Sequence, residues 1–221
     1  MEQDLSTALQ QPPYRTFWAL WFLVTAGYGV VWAAVIYIWG ADDAVTNLIF
    51  PISGGFWLGT LQGLALRRYF FVRYWWKWML SSSTAWLIAW IILMIVGGIA
   101  LVGSGLNPET DVRGCLVTIC GVAGAFFGLV QALYSPARFD PGSWMSANAF
   151  AWTVGAFVGG AVGFAVHRVM FLPGRFTESV SSPQYTAGVA VGVFVAMLVI
   201  GALTGLAAVW HLRMRFETGP S

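Results

Sequence analysis

The side chains able to do chemistry are few in this sequence, and they lie far apart. The two histidines, His167 and His211, each stand close to an arginine. A histidine can serve as an axial ligand to a haem or to a chlorophyll-type pigment, but a histidine beside an arginine is more typical of the polar end of a segment. His167 and His211 are therefore weak candidates for cofactor binding.

The cysteines and the glycine-rich stretches predict neither a catalytic nor a metal-binding site. Cys115 and Cys120 have neither the spacing of a metal-ligand pair nor that of a redox motif. We expect buried thiols, with a disulfide or a cofactor attachment as the alternative. Glycines in 159–163 lie in an apolar stretch with no preceding strand, so they do not form a nucleotide-binding loop. Because no nucleophile is paired with a base either, we expect no enzymatic activity.

Three of the side-chain amides in the apolar stretches are candidates for contacts between helices. Gln62 and Gln131 occupy equivalent positions in two similar segments, and Asn148 follows in the next one. We expect hydrogen bonds between helices, worth roughly 0.6 to 2 kcal/mol each, with Asn148 and the segment 81–84 as partners. A polar cavity that binds a lipid headgroup or a quinone is the alternative.

The elements that position these residues must be suited to lipid. The chain is 58% apolar and only 9% charged, with a mean hydropathy of +0.73, whereas a soluble domain carries roughly 25% charged residues. Six stretches without Asp, Glu, Lys or Arg can each hold the roughly 20 residues of a spanning helix. The sequence predicts an all-α polytopic membrane protein, one domain over 1–221, with six transmembrane helices at about 17–40, 46–66, 79–102, 114–134, 144–166 and 186–210.

The basic residues between these stretches predict the orientation. Lys and Arg concentrate on the cytoplasmic side of membrane proteins. With six spans, one side receives Arg15, Arg67, Arg68, Arg73, Lys77, Arg138, Arg213 and Arg215, and the other receives Arg113, Arg168 and Arg175. Both termini are then cytoplasmic, and the two histidines lie on opposite sides, where they cannot share one haem. A net charge of +2 is too small to indicate a nucleic-acid partner.

An internal repeat predicts how the helices pair. The segment 55–62 matches 124–131, and 201–208 is a third copy in which Ala208 replaces the glutamine. The following segments, 78–86 and 144–152, also match, with the first span as a weaker third member. Small residues four apart let helices approach closely in lipid. We expect three pseudo-repeated helix pairs in a pseudo-threefold bundle, packed at Gly55, Gly59, Gly124, Gly128, Gly201 and Gly205.

Aromatic and basic residues indicate where the cytoplasmic interface lies. A belt at headgroup depth is expected from Trp18, Trp21, Trp75, Trp76, Trp78 and Trp144. The segment 67–78 interleaves bases with aromatic residues, and each base near anionic lipid is worth about 1 kcal/mol. We expect lipid contact at Arg67, Arg68, Arg73 and Lys77, with docking to a partner subunit as the alternative.

The strings GGFWLGTLQGLALRR, WMLSSSTAW and GALTGLAAVWHLR resemble a group of uncharacterised bacterial multi-pass membrane proteins, frequent in Chloroflexi and cyanobacteria. Their repeats have the form G-x-x-x-G-x-x-Q-x-L-x-L-R-R, followed by W-x-x-x-S-x-x-x-W. The resemblance covers about residues 50–215 and departs at 134–138, where paired arginines are missing. It implies a protein of the bacterial cytoplasmic membrane and assigns no functional residue.

Three classes of function follow from these observations. The leading one is a non-catalytic accessory or structural subunit of a larger membrane complex, photosynthetic or respiratory. The second is a small-molecule channel or carrier with a path past Gln62 and Gln131. The third is a protein that binds a lipid, a chlorophyll-type pigment or a quinone. The expected partners are membrane lipids and other membrane-protein subunits.

Overall fold

The structure is a computed structural model that describes residues 14–40, 50–70, 74–103, 111–134, 139–170 and 183–218. Arg73 and the side chain of Cys115, both discussed above, lie outside the described residues. Each of the six helices overlaps one predicted span: α1 Tyr14–Trp39, α2 Phe50–Phe70, α3 Trp75–Gly103, α4 Asp111–Tyr134, α5 Pro141–Met170 and α6 Pro183–Thr218.

Local chemistry explains where α1 ends and where α5 begins. Gly40 has a φ of 93°, a left-handed conformation that suits glycine, and its N–H donates to the carbonyl of Ile36 at 2.8 Å. At α5, Asp140 is the N-cap, because its Oδ2 accepts a 2.8 Å hydrogen bond from the Ser143 N–H. Pro141 then takes the first helical position, where a missing N–H does no harm.

Four of the helices are long and apolar enough to cross a membrane, namely Tyr14–Trp39, Val117–Tyr134, Pro141–Val169 and Thr186–Met214. Large apolar side chains such as Leu23, Phe157 and Val169 stand 63%, 65% and 85% exposed on the outside of the bundle. Water would disfavour such a surface, and lipid accepts it. The chain is therefore a multi-pass helical membrane protein.

The helices form a closed ring in chain order. Each helix packs against the helices before and after it, and α6 packs against α1. Contacts are most extensive between α5 and α6 and sparsest between α1 and α2. Within the described residues, helices on opposite sides of the ring do not approach each other, so side chains must fill its centre.

Two clusters of buried residues fill that centre. The first, here called the tryptophan layer, lies where α1, α3 and α5 begin, and consists of Phe17, Trp21, Ala65, Leu66, Trp78, Ala132, Phe139, Trp144, Ala208 and Leu212. The second, the middle layer, lies deeper along the helices and consists of Tyr28, Leu58, Ala85, Trp86, Ala89, Ala123, Phe127, Trp152 and Met197.

Candidate functional site

Three tryptophans from alternate helices meet inside the ring. Trp21 of α1, Trp78 of α3 and Trp144 of α5 are at most 1% exposed. Their rings make edge-to-face contacts, with centroids 5.6 Å apart for Trp21 and Trp78 and 6.1 Å apart for Trp78 and Trp144. The sequence had placed all three in an interfacial belt. That expectation is wrong, because each ring faces the bundle interior, where it finds a hydrogen-bond acceptor.

The buried amides supply two of those acceptors. The indole N–H of Trp144 donates to Gln131 Oε1 at 3.2 Å, and that of Trp78 donates to Gln62 Oε1 at 3.4 Å. Each glutamine also bonds to the helix before it in the chain. The Nε2 of Gln131 in α4 donates to Ser82 Oγ of α3 at 2.9 Å, and the Nε2 of Gln62 in α2 donates to Thr25 Oγ1 of α1 at 3.4 Å. The glutamines therefore join neighbouring helix pairs.

Asn148 does not take part in this exchange, although the sequence suggested it as a partner for a glutamine. Its Nδ2 donates to the carbonyl of Trp144, one turn earlier in the same helix, at 2.9 Å. The side chain is 1% exposed. Between helices, Asn148 contributes a packing contact, because Gly128 of α4 packs directly on its Cβ.

The paired glycines allow two helix pairs to make matching close contacts. A Cβ built on Gly55 would lie 2.6 Å from the Cβ of Trp86, and one built on Gly124 would lie 2.7 Å from the Cβ of Trp152. One turn along, Gly59 packs on Ser82 as Gly128 packs on Asn148. No larger residue fits at these glycines unless the helices separate.

The pair formed by α6 and α1 makes the same kinds of contact. On α6, however, the contacting residues lie one helical turn earlier than the alignment of the repeats predicts. Gly201 packs on Thr25, as Gly59 packs on Ser82. The indole N–H of Trp21 donates to Thr204 Oγ1 at 3.2 Å. Thr204, rather than Ala208, thus stands where the other pairs have glutamine, and Gly205 contacts Trp18 and Trp21.

One turn deeper, α1 supplies the small residue and α6 the large one, which is the reverse of the other two pairs. A Cβ on Gly29 of α1 would lie 2.6 Å from the Cβ of Met197 of α6. In the other two pairs the glycine is on the even-numbered helix, and the odd-numbered helix supplies Trp86 or Trp152. The middle layer therefore has two of these tryptophans and, at the third place, a glycine.

A cavity of about 420 Å³ lies at and beyond the middle layer. Trp32, Trp86, Trp152 and Phe164 form its aromatic walls. Glycines of α5 and α6 form another wall, where Gly163 and Gly192 pack against the facing backbone. The volume falls within the roughly 300–1,000 Å³ of small-molecule sites. The sequence did not predict this cavity, because only the packing brings the glycines of α5 and α6 together with Trp32, Trp86 and Trp152.

The two histidines differ in their surroundings. His167 lines the cavity beside Gly188. At the other end of the bundle, both ring nitrogens of His211 are engaged: Nδ1 donates to the carbonyl of Ala207 at 2.8 Å, and Nε2 lies 2.7 Å from Ser143 Oγ. His211 would therefore have to give up one of these hydrogen bonds before it could bind a pigment or haem.

Asp140 completes the contact at His211. The backbone N–H and the hydroxyl of Ser143 both donate to its Oδ2, the hydroxyl at 2.7 Å. These hydrogen bonds, with a smaller contribution from the nearby His211, hold the pKa of the Asp140 carboxyl below its ordinary value. The serine lies between the carboxylate and the histidine, so this is not the arrangement of a hydrolytic triad; it ties the start of α5 to the end of α6.

The exposed bases next to the tryptophan layer lie among aromatic rings. Arg67, Arg68 and Lys77 are exposed, and the Lys77 ammonium lies 5.2 Å from the ring centroid of Tyr74. Among the described residues there is no group of three His, Cys, Asp or Glu side chains that could hold a metal ion. Cys120 is a free thiol on the cavity wall.

No family model, curated protein or solved structure matches this chain. Function must therefore be inferred from the cavity and from the layers around it.

Proposed function

We propose that this chain binds a lipophilic small molecule inside the membrane, without acting on it chemically. The observation that supports the proposal is the 420 Å³ cavity, lined by tryptophans and by the glycines of α5 and α6. Such a protein can hold its ligand for a larger assembly, so the expected role as an accessory subunit of a photosynthetic or respiratory complex is compatible with it. The bacterial group that the sequence resembles remains the proposed family.

The same proposal takes all six helices as spanning, in three repeated pairs: α2 with α3, α4 with α5, and α6 with α1. The matching glycine contacts and the three indole hydrogen bonds support the pairs. The ring order supports the spans, because α2 and α3 pack beside helices that are long and apolar enough to cross. We further propose cytoplasmic termini in a bacterial cytoplasmic membrane, on the side of Arg67, Arg68 and Lys77.

A channel or carrier along the ring axis is less well supported. It needs a water-accessible line past Gln62 and Gln131, yet the two amides are 5% and 1% exposed and are hydrogen-bonded to tryptophans. The free space beside them is about 20 Å³. That volume is close to the minimum for one water molecule.

Substitution of Gly160 tests whether a ligand occupies the cavity. Gly160 lines the cavity, and a Cβ built there meets nothing within 4 Å, so Gly160→Phe adds bulk without forcing helices apart. Gly27→Phe is the matched control, because Gly27 is equally open but does not line the cavity. The protein is purified from its native membrane in mild detergent, and bound small molecules are extracted for mass spectrometry.

We expect one lipophilic compound near stoichiometric amount in the wild type and in Gly27→Phe, and its loss in Gly160→Phe. Equal amounts in all three proteins, or no such compound in the wild type, would overturn the proposal. Protein mass spectrometry of the same samples tests the accessory-subunit prediction, which requires stoichiometric partner subunits.

A further inference from the structure

The cavity is elongated along the bundle. On α6 its wall runs from Gly188 to Ile200, a distance of about 18 Å at the rise of an α-helix. That length is about twice the diameter of a sphere with the cavity's volume of about 420 Å³. The space is therefore long and narrow, and it suits a hydrocarbon chain better than a compact ring system.

Most of the wall is apolar. Among the described residues that line the cavity, there is no carboxylate, amide, hydroxyl, lysine or arginine side chain. The indole nitrogens of Trp32 and Trp86 are buried within the protein and are not presented to the cavity. A charged group drawn into this part would lose its hydration without meeting a counter-charge. The deep part of the cavity therefore favours a plain hydrocarbon segment.

Polar side chains come together at one end of the cavity, in the last turn of α5. His167 lines the cavity there, and Arg168 is next to it in the chain. Wall residues recur every four positions along α5, at Ala156, Gly160 and Phe164. Residues four apart lie along one side of a helix, and the next position on that side is Arg168. The Arg168 guanidinium lies 4.6 Å from the ring centroid of Phe164, so a cation stands at the end of the wall.

The charge of Arg168 has no carboxylate partner within the described part of the chain. Arg168 is exposed, and the acidic side chain that the structure describes, Asp140, lies at the other end of α5. A guanidinium can bind one carboxylate through two parallel hydrogen bonds. A phosphate monoester carries nearly two charges, and a diacyl lipid has two chains. One cation beside one narrow space is therefore matched best by a carboxylate with a single chain.

We infer that the ligand is a long-chain carboxylate of the fatty-acid type, with its hydrocarbon chain in the cavity and its carboxylate at the guanidinium of Arg168. This inference rests on the proposed function and adds the chemical class of the ligand to it. The chain alone gains little by leaving the bilayer, because lipid tails are as apolar as the wall. The contact of the carboxylate with Arg168 therefore decides which amphiphile is retained.

Two ligands with the same chain isolate the contribution of the carboxylate. Hexadecanoate carries a carboxylate, and 1-hexadecanol carries a neutral hydroxyl. Binding of each radiolabelled compound is measured by equilibrium dialysis at about pH 9, so that the carboxylate stays ionised beside lipid. The full chain is held in nanodiscs of phosphatidylcholine, and binding to empty nanodiscs is subtracted.

Two substitutions, each with a control, separate the head from the chain. Arg168→Gln removes the cation and keeps a side chain that forms hydrogen bonds. Arg68→Gln is its control, because Arg68 is also exposed and lies 6.0 Å from the ring centroid of Tyr69, but is next to the tryptophan layer, at the other end of the bundle. Gly160→Phe fills the cavity, and Gly27→Phe is again its control.

We expect the wild type to bind hexadecanoate roughly tenfold more tightly than 1-hexadecanol. Arg168→Gln should remove this preference by weakening the binding of hexadecanoate alone, and Arg68→Gln should bind both ligands like the wild type. Gly160→Phe should abolish the binding of both ligands, and Gly27→Phe should retain it.

The other outcomes separate the two proposals. If Gly160→Phe abolishes the binding of both ligands, but Arg168→Gln weakens hexadecanoate no more than Arg68→Gln does, the cavity binds lipophilic molecules and the carboxylate inference is wrong. If the wild type binds both ligands and Gly160→Phe binds them equally well, the proposed function fails, and the inference fails with it.

Discussion

The tryptophan layer and the cavity are two levels of one ring of helices, and they are filled very differently. Around Gln62 and Gln131 about 20 Å³ of free space remains, whereas about 420 Å³ is open at and beyond the middle layer. In the tryptophan layer Trp21, Trp78 and Trp144 each have an acceptor for the indole N–H. At the cavity the N–H of Trp86 has none within the described chain.

At the middle layer, the pair of α6 and α1 also differs from the other two pairs. Where two pairs place Trp86 and Trp152, the pair of α6 and α1 places Gly29 and shifts the larger side chain, Met197, to the opposite helix. The ring still closes, because the exchange keeps a small residue against a large one. The exchange of sizes between α1 and α6 therefore leaves their packing intact.

The largest expected effect is the loss of a tryptophan from the filled layer. Trp144→Ala should lower the free energy of unfolding by about 3–5 kcal/mol, since the layer has little freedom to collapse around the void. Trp152→Ala should cost clearly less, because its ring already borders open space. Reversible unfolding in mixed detergent micelles measures both values. Equal losses would show that the two levels are packed alike.

Glycine substitutions should separate helix contact from cavity wall. Gly128→Leu should destabilise by about 1–3 kcal/mol, because its Cβ would lie 2.9 Å from Asn148 Cβ and from the Trp144 carbonyl oxygen. Gly160→Leu should change stability by no more than about 0.5 kcal/mol. The same unfolding assay applies. A strongly destabilised Gly160→Leu would mean that the cavity wall is a packing contact.

The glutamines should differ from each other by a smaller amount. Gln131→Leu removes a 2.9 Å bond to Ser82 and leaves the Trp144 N–H without its acceptor, at a cost of roughly 1–2 kcal/mol. Gln62→Leu should cost less, because both of its bonds are 3.4 Å long. The ratio of the two losses is the measurement, and a larger loss for Gln62→Leu would contradict the ranking by distance.

The smallest expected effect is the pH dependence contributed by Asp140. Its pKa is lowered in the folded protein by the hydrogen bonds from Ser143. The stability that this carboxylate contributes is therefore present above its unfolded pKa of about 3.9 and is lost as the pH falls through the lowered value. Melting temperatures of the wild type should fall below about pH 4 more steeply than those of Asp140→Asn, whose amide keeps the cap but does not titrate. Identical pH profiles would show that Asp140 does not contribute to the pH dependence of stability.

The sequence predicted the helices well because the uncharged stretches reflect the thickness of the bilayer, and each predicted span overlaps a helix. It could not distinguish interfacial tryptophans from buried ones, since only the packing shows that Trp21 meets Trp78 inside the ring while Trp18 stays partly exposed. It also aligned α6 with α2 one helical turn out of register, because Gly201 and Gly205 have the same spacing as Gly55 and Gly59. The exchange of sizes at Gly29 and Met197 is recognised only in the correct register.

The contact of α6 with α1 also sets the order in which the protein can be completed. Trp21 and Thr204, which share a hydrogen bond, are separated by 183 residues. During synthesis α1 enters the membrane long before α6 exists, so the Trp21 indole N–H stays without Thr204 as its acceptor until α6 leaves the ribosome. Ring closure, and the cavity beside α5 and α6, therefore await the synthesis of α6, and loss of α6 would leave the ring open.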